Sequence, residues 1–472
     1  MNQLETNDIQ GIIIKGYASL PACTFLLLHV QQPQQARQWL QQLIPQVTPA
    51  HQKPGQQALN IAFTYQGLQA LGLPAQSLDS FPIELEDGMT TPHKQLFLGD
   101  FDTSAPEHWQ WGSTHTTPVH ILLMLYAAEE AVLQTWQQQL LQQLPGAGVT
   151  LVQELDTAVL TQRKEHFGFR DGIAQPTIEG LHRQDVPENT IPAGEFILGY
   201  TNSYHQYPDV PVVPDTPASQ LLPAAETTGM RNLGKNGSYL VFRQMEQNVQ
   251  GFWEYVRAAT AEEGNPNADE MIKLAAKMVG RWPSGAPICL APEKDDTSME
   301  NMDSFAYRSH DSTGLKCPIG SHIRRTNPRD AMDADLKTSI EIANKHRILR
   351  RGRSYGKPVC ENLNPADILN AGNYEGERGL HFICFNASIA RQFEFIQNAW
   401  VNNHKLFNLN NERDPLIGNN HHPEDDYKTG FFSTPQNGLR KRYTNIPAFT
   451  TVKGGAYFFM PGIKALTYLS AL

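Results

Sequence analysis

At 472 residues the chain is too long for one ordinary domain, and 40% hydrophobic against 18% charged residues excludes a disordered protein. A net charge of −10, with no dense basic run interleaved with aromatics, argues against nucleic acid as the main partner. Five scattered cysteines (Cys23, Cys289, Cys317, Cys360, Cys384) never form Cys-x-x-Cys, which excludes a zinc ribbon, an iron–sulfur set and a covalent haem attachment, and fits a reducing compartment.

The first ten residues carry neither a basic start followed by an apolar run nor a twin arginine, so no signal peptide is expected. The longest apolar stretches, such as Thr24–Val30 and Ile121–Ala128, are too short to cross a bilayer. A cytoplasmic protein without a membrane span is the expectation.

Cys23–Val30 reads as a buried strand, followed by a helix over Pro33–Ile44 with Ala36, Leu40 and Leu43 on one face. Leu59–Thr64 is a second strand, with a short helix around Gly67–Leu71. Pro118–Tyr126 is a third, feeding a helix from Ala127 to Leu144 whose seam is Leu133, Trp136, Leu140 and Leu144. Val149–Leu155 closes this part as a strand, and Glu195–Tyr200 is a further short one. Pro208–Gly229, with five prolines and little periodicity, reads as a connector.

The second half repeats the theme. Ser238–Phe242 is a strand whose following helix aligns Val249, Trp253 and Val256. Gly379–Phe385 is another, with Ile389, Phe393, Ile396 and Trp400 on the helix behind it, and Gly455–Met460 is the last. Two strand-then-helix units per half, plus extra strands, predict a duplicated α+β domain with helices on one face of an antiparallel sheet. The expected division is an N-terminal domain over 1–207, the connector over 208–230 and a C-terminal domain over 231–472.

Two constellations carry chemistry. In Gly168-Phe169-Arg170-Asp171-Gly172-Ile173-Ala174-Gln175-Pro176, two glycines frame one carboxylate, so the backbone can bend tightly and approach a large ligand. The bland alternative is an Asx-type turn. About 150 residues on, Cys317-Pro-Ile-Gly-Ser-His322-Ile-Arg324-Arg325-Thr-Asn-Pro-Arg329 sets one histidine beside three arginines. That pattern suits an iron ligand with guanidinium groups near the carboxylates of a cofactor; the alternative is a basic surface loop. In His346-Arg-Ile-Leu-Arg350-Arg351-Gly, two adjacent arginines point in different directions, so one can enter a pocket while the other stays outside. A third cluster, His421-His422-Pro-Glu424-Asp425-Asp426, is either a non-haem metal site or a solvated acidic loop.

The Gly168–Pro176 stretch resembles the Gly-x-x-Asp-Gly signature of the dye-decolorizing haem peroxidases. His322–Arg329 is similar to that family's axial-histidine segment, Ile348–Gly356 to its distal-arginine segment, and Gly379–Phe385 to the strand over the distal haem face. Asn236–Gln244 and Gly454–Pro461 resemble further family blocks, all in the family's order, and the length resembles the larger, intracellular-type members. The resemblance implies two ferredoxin-like α+β domains and one non-covalent haem b in the C-terminal one. It implies His322 as axial iron ligand, Asp171 as the acid and base that moves the peroxide proton, and Arg350 as the distal cation, with Arg351 as the alternative. Leu380 and Phe382 would keep the space above the iron dry, Gly172 would allow the close backbone approach, and Asp414 would orient the imidazole. Arg325 and Arg329 would contact haem propionates or, equally, form surface salt bridges. The implied reaction reduces hydrogen peroxide and oxidises bulky aromatic compounds such as anthraquinone dyes, in a monomer or homodimer. The same scaffold could instead bind haem for storage or iron removal, or the chain could be an interaction protein without a cofactor.

Overall fold

The computed structural model describes residues 3–181, 189–371, 376–420, 430–436 and 439–472. Its first half contributes strands β1 (Ala22–Val30), β2 (Gln57–Phe63), β3 (Ile121–Ala127) and β4 (Val149–Asp156), with helix α1 (Pro33–Leu43) after β1 and α2 (Glu130–Gln143) after β3. The second half contributes β5 (Ser238–Gln247), β6 (Leu349–Arg350), β7 (Arg353–Tyr355), β8 (Gly379–Asn386) and β9 (Thr450–Met460). Helices α3 (Val249–Thr260) and α4 (Ala268–Val279) follow β5. All pairings in the main sheet are antiparallel. The order is β6-β8-β5-β9-β2-β3-β1-β4, with β7 also on β8. Each four-strand half thus shows the interleaved order of a ferredoxin-like unit, and in the main sheet the halves join through the Phe459–Phe63 pair between β9 and β2.

Alternation along the strands explains the layers. One set of side chains, including Phe25, Leu27, Leu122, Met124, Phe242, Ile383, Phe385 and Phe458, forms a core shared by both halves of the sheet. The opposite set, including Leu26, Leu28, Leu59 and Ile61, packs under Ala36, Leu40, Leu133 and Leu140 of α1 and α2. Burying both faces is why these strands read as continuous apolar runs. Their helices carry a single apolar seam because only one side meets the sheet.

The structure corrects three expectations. Glu195–Tyr200 is not a strand: Ala193–Glu195 forms a single 3₁₀ turn. A Cβ at Gly194 would lie 2.1 Å from the Tyr200 carbonyl oxygen, and Gly199 has φ +82°, so the chain folds back there while Phe196, Ile197 and Leu198 stay buried. The proline-rich stretch is no bare connector. Val212–Pro214 pairs with Met230–Asn232, and Val213 and Leu222 are buried in the core of the first half. Residues 390–402 form two consecutive wide-turned π-helical stretches, Ala390–Glu394 and Ile396–Asn402, still with Phe393, Ile396 and Trp400 buried.

Candidate active site

Antiparallel register assembles one wall of a deep cleft on the helix-covered face of the second half-sheet. Leu380 lies opposite Met245, and Phe382 opposite Arg243, while Arg350 on β6 lies opposite Cys384. Residues 380, 382 and 384 share a face because side chains alternate, and Arg350 and Arg243 are the charged side chains that enter that otherwise apolar face from the neighbouring strands. The cleft encloses about 1570 Å³ of atom-free space, its mouth included, and Asp171, Gly172, His322, Arg350, Leu380 and Phe382 all line it.

Asp171 reaches the cleft from a loop clamped to the second half of the chain. Phe167 and Phe169 are buried against Phe252 and Trp253 of α3, and the Trp253 indole donates to the Phe167 carbonyl at 3.1 Å. A Cβ at Gly168 (φ +95°) would stand 2.6 Å from the Leu363 carbonyl oxygen, so no other residue fits there. Glu165, half-buried at the base of the loop, accepts from the amides of Phe167 and Phe169, each at 2.9 Å, and from Gln247 at 2.6 Å. Gln175, at the far end, accepts from the Arg350 amide at 3.1 Å and so ties the loop to β6.

Arg350 Nη1 donates to Asp171 Oδ1 at 3.0 Å. Asp171 is 41% and Arg350 31% accessible at the side chain, both toward the cleft they line. Enclosure by the chain pushes the Asp171 carboxyl up. The Arg350 guanidinium, the Gly172 amide and the positive potential of His322 outweigh this and hold it below the ordinary carboxylate value. Arg351 does not compete for the site: its guanidinium donates to the carbonyls of Ile12, Ile13 and Ile14.

His322 opens a short helix, α5 (His322–Thr326), seated beside Ile396–Asn402. Its Nδ1 bonds Asp414 Oδ2 at 2.8 Å, which leaves Nε2 for a ligand in the cleft. Asp414 is fully buried; its other oxygen accepts from the Leu416 and Ile417 amides at 2.9 and 3.1 Å. Burial lowers the proton affinity of His322, but Asp414 more than restores it, so the imidazole sits above its ordinary pKa. A carboxylate bonded to the remote nitrogen of an imidazole is the arrangement that fixes tautomer and orientation in metal-ligating histidines.

The arginine expectations separate. Arg325 is fully buried, lies outside the cleft, and donates to the carbonyls of Gly320, Trp400, Asn403 and Glu412. It therefore holds α5 to the adjoining loops and forms neither a cofactor contact nor a surface salt bridge. Arg329 does line the cleft, bonded to Asp303 and stacked 3.8 Å from the centre of the Phe305 ring. Arg281 and Arg347, which carried no expectation, line it too. Arg347 Nη2 is buried with no partner among the described residues, and burial with the nearby Arg329 and Arg350 charges holds the guanidinium down to about 10. This end of the cleft thus gathers three guanidinium groups and one unspent donor, chemistry suited to an anion.

Glu165, Gln175 and Gln247 are positioning residues that spacing alone could not reveal, although Gln175 stands inside the glycine-framed motif. The His421–Asp426 cluster lies outside the described residues, and no group of three metal-ligating side chains occurs among the described ones.

A family model for the C-terminal part of Dyp-type peroxidases matches residues 219–412. A dye-decolorizing peroxidase of Exidia glandulosa is 32% identical over 426 residues, which is 87% of this chain and 75% of that protein. One from Auricularia auricula-judae is 30% identical over 488 residues, covering 98% of this chain and 86% of that one. The solved DyP-type peroxidase of Anabaena sp. matches with a TM-score of 0.76 at 26% identity, covering 98% of this chain and 94% of the other. A structure of the A. auricula-judae enzyme gives 0.75 at 26%, covering 99% and 100%. Such identity along most of the length, together with a shared fold from end to end, makes this chain a member of the dye-decolorizing peroxidase family, an oxidoreductase of the peroxidase kind.

Proposed function

We propose that the chain holds one non-covalent haem b in this cleft, where His322 Nε2 would hold its iron, and reduces hydrogen peroxide while oxidising bulky aromatic compounds, anthraquinone-type dyes among them. One observation carries the reading: the Asp171–Arg350 pair and the Asp414-oriented His322 line the same apolar cleft. The donor set fits the group, since it offers one imidazole with a free ring nitrogen and guanidinium groups for two propionates. Arg329 and Arg347 are assigned to the propionates, the latter through its unspent Nη2. When bound, the haem supplies the iron at which peroxide sits and the store for its two oxidising equivalents.

The chain's own residues do the rest. The Asp171 carboxylate takes a proton from one peroxide oxygen and delivers it to the other, which departs as water. Arg350 Nη1, already within 3.0 Å of Asp171, stabilises the negative charge that grows on the departing oxygen. Leu380 and Phe382 exclude bulk water and bar large aromatics from the reacting centre. Asp414 keeps the Nδ1 proton of His322 and makes the imidazole a stronger donor through Nε2.

All five cysteines are free, and no described helix is long and apolar enough to cross a membrane. The free thiols support a reducing compartment, the cytoplasm, as the working location. The test is an absorption spectrum of the purified protein before and after one equivalent of peroxide. A Soret band that shifts on addition is expected. A Soret band indifferent to peroxide would replace turnover with haem handling, and a colourless protein that refuses haem would remove the cofactor altogether.

A further inference from the structure

Glu165, Phe167 and Phe169 pin the Asp171 loop before the carboxylate and Gln175 pins it after, each two or more residues away. Closer in, the Asp171 amide donates to the Arg163 carbonyl at 3.0 Å, but Arg163 stands in the left-handed region at φ +56°, as does Gln162. Residues with a Cβ hold that conformation only when the surroundings enforce it. Arg170 supplies a second hold, one residue from the carboxylate. Its amide donates to the Pro283 carbonyl at 3.2 Å, Nη1 pairs with Glu300 Oε2 at 2.8 Å, and Nη2 donates to Asn301 Oδ1 at 2.8 Å. Asn301 Nδ2 donates in turn to Glu300 Oε1 at 3.1 Å, which closes a triangle. The segment so gripped is itself fixed: Arg281 donates to the carbonyls of Gly285 and Met302 at 2.8 and 2.7 Å, and Arg329 to that of Asp303 at 2.7 Å. Gly285 (φ +106°) lets the two pieces touch. A Cβ there would stand 2.5 Å from the Glu300 carbonyl oxygen, 2.7 Å from Ile173 Cδ1 and 3.2 Å from Arg170 Cδ, so residues on both sides of Asp171 rest against one bare backbone position.

We propose that Arg170 is a positioning residue: through Glu300 and Asn301 it fastens the Asp171 loop to the Pro283–Asp303 segment and so keeps the carboxylate within reach of Arg350. Its effect on the peroxide reaction rests on the reading of Asp171 given above; the fastening does not. A partly exposed ion pair such as this one, 15% and 44% accessible, adds little to global stability. Placement is more sensitive, since a displacement of about 1 Å can cost a reaction about 10²-fold. Arg350 and His322 are the cations that hold the Asp171 carboxyl down, and Glu165 is the like charge at the base of the loop. A carboxylate that drifts from Arg350 binds its proton more tightly, so its titration moves to higher pH. Removing the Glu300 charge acts directly in the opposite direction, because one less negative charge lowers the proton affinity of a carboxyl. The sign of the shift therefore separates lost position from lost charge.

The experiment compares the parent with Glu300→Ala, Glu300→Gln, Arg170→Leu and the Arg170→Leu/Glu300→Ala double variant. One readout is hydrogen exchange of residues 161–176 in the resting protein, and the other is the stopped-flow reaction with peroxide across the acid range. Glu300→Ala should exchange about tenfold faster over this loop, react about tenfold more slowly, and shift its acid limb to higher pH, with the melting temperature unchanged. Glu300→Gln keeps an acceptor for Arg170 and should recover most of the rate. The double variant should be no slower than Arg170→Leu alone, because both changes cut the same contact. Parent-like exchange and rate in Glu300→Ala would overturn the proposal. So would an acid limb that stays in place or moves to lower pH, or losses that add in the double variant. A protein without a Soret band would sink the haem reading, and loop exchange would then decide alone: faster exchange in Glu300→Ala upholds the fastening, and unchanged exchange removes it.

Discussion

Glu165 makes the stability of the catalytic loop depend on pH in a direction opposite to most carboxylates. Burial raises its carboxyl from 4.5 to about 7, against the pull of the Phe167, Gln247 and Phe169 donors, with the Asp171 charge adding to the rise. Between those values the native state keeps a proton that the unfolded chain has already lost. Stability is therefore fully present below pH 4.5 and falls as pH rises through 7. At about 1.36 kcal/mol per pH unit the loss amounts to about 3 kcal/mol. Glu165→Gln resembles the protonated side chain in size and removes the titration. His120, His166 and His381, each held down to about 4 by burial, work the other way, since the unfolded chain binds their protons more tightly. The informative quantity is thus the difference between parent and variant. The glutamine's amide nitrogen cannot accept from a loop amide as a carboxyl oxygen does, so urea unfolding should show the variant less stable than the parent at pH 5 and that deficit shrinking or reversing by pH 8. Equal pH dependence in the two proteins would show that the Glu165 carboxylate is not penalised by burial and would refute the reasoning.

The remaining expectations concern the cleft. Asp171→Asn preserves volume and an acceptor for Arg350, so haem content should hold while stopped-flow Soret changes with peroxide slow by about 10²–10⁴-fold. Because Asp171 is held below the ordinary carboxylate value of about 3.9, it stays a base in acid. The parent's peroxide reaction should therefore persist down to about pH 4 and fall only below it; a rate profile centred above neutrality would contradict this. Arg350→Leu should slow the same step by about 10²–10³-fold. Arg351→Leu should spare it and instead lower the melting temperature through the lost Ile12, Ile13 and Ile14 carbonyl contacts. His322→Ala should abolish or loosen haem binding, read as Soret absorbance per chain. Asp414→Asn should weaken it by about 10–100-fold, measured by haem transfer to an apo-globin acceptor.

Much of the fold was legible before any coordinates. The strand cores at Cys23–Val30 and Ser238–Phe242 appear where short dense apolar runs put them, and the seam Leu133-Trp136-Leu140 where period 3.6 does. The misreading at Glu195–Tyr200 has a local cause. An apolar run signals burial, but burial does not specify strand when Gly194 and Gly199 let the chain turn on itself. The wide turns over 390–402 were illegible because i→i+5 bonding leaves no separate mark on hydrophobic spacing. In the site, the sequence could narrow the distal cation to Arg350 or Arg351 and no further. Choosing between them required β6 to pair with β8, which turns Arg350 to the cleft and Arg351 toward Ile12–Ile14. Arg325 shows the reverse: an arginine three residues from His322 read as a cofactor contact or a surface salt bridge, yet buried carbonyls claim it.

What the amino-acid order alone determined is the local chemistry: a carboxylate on a bend only glycine permits at Gly168, an imidazole beside three arginines, and apolar patterns that commit each half to a layered sheet. What only the tertiary structure decided is which groups share a space. Asp171, Arg350, His322 and Asp414 span 243 positions of chain from first to last, and their meeting is set by antiparallel register and packing of distant segments. The same holds for Asp100 and Arg243, ordinary charges in sequence that become a buried ion pair only when two distant segments close around them. Local residue types fix backbone preferences over a few positions, whereas contacts across hundreds of residues depend on the whole core closing, which no short pattern encodes.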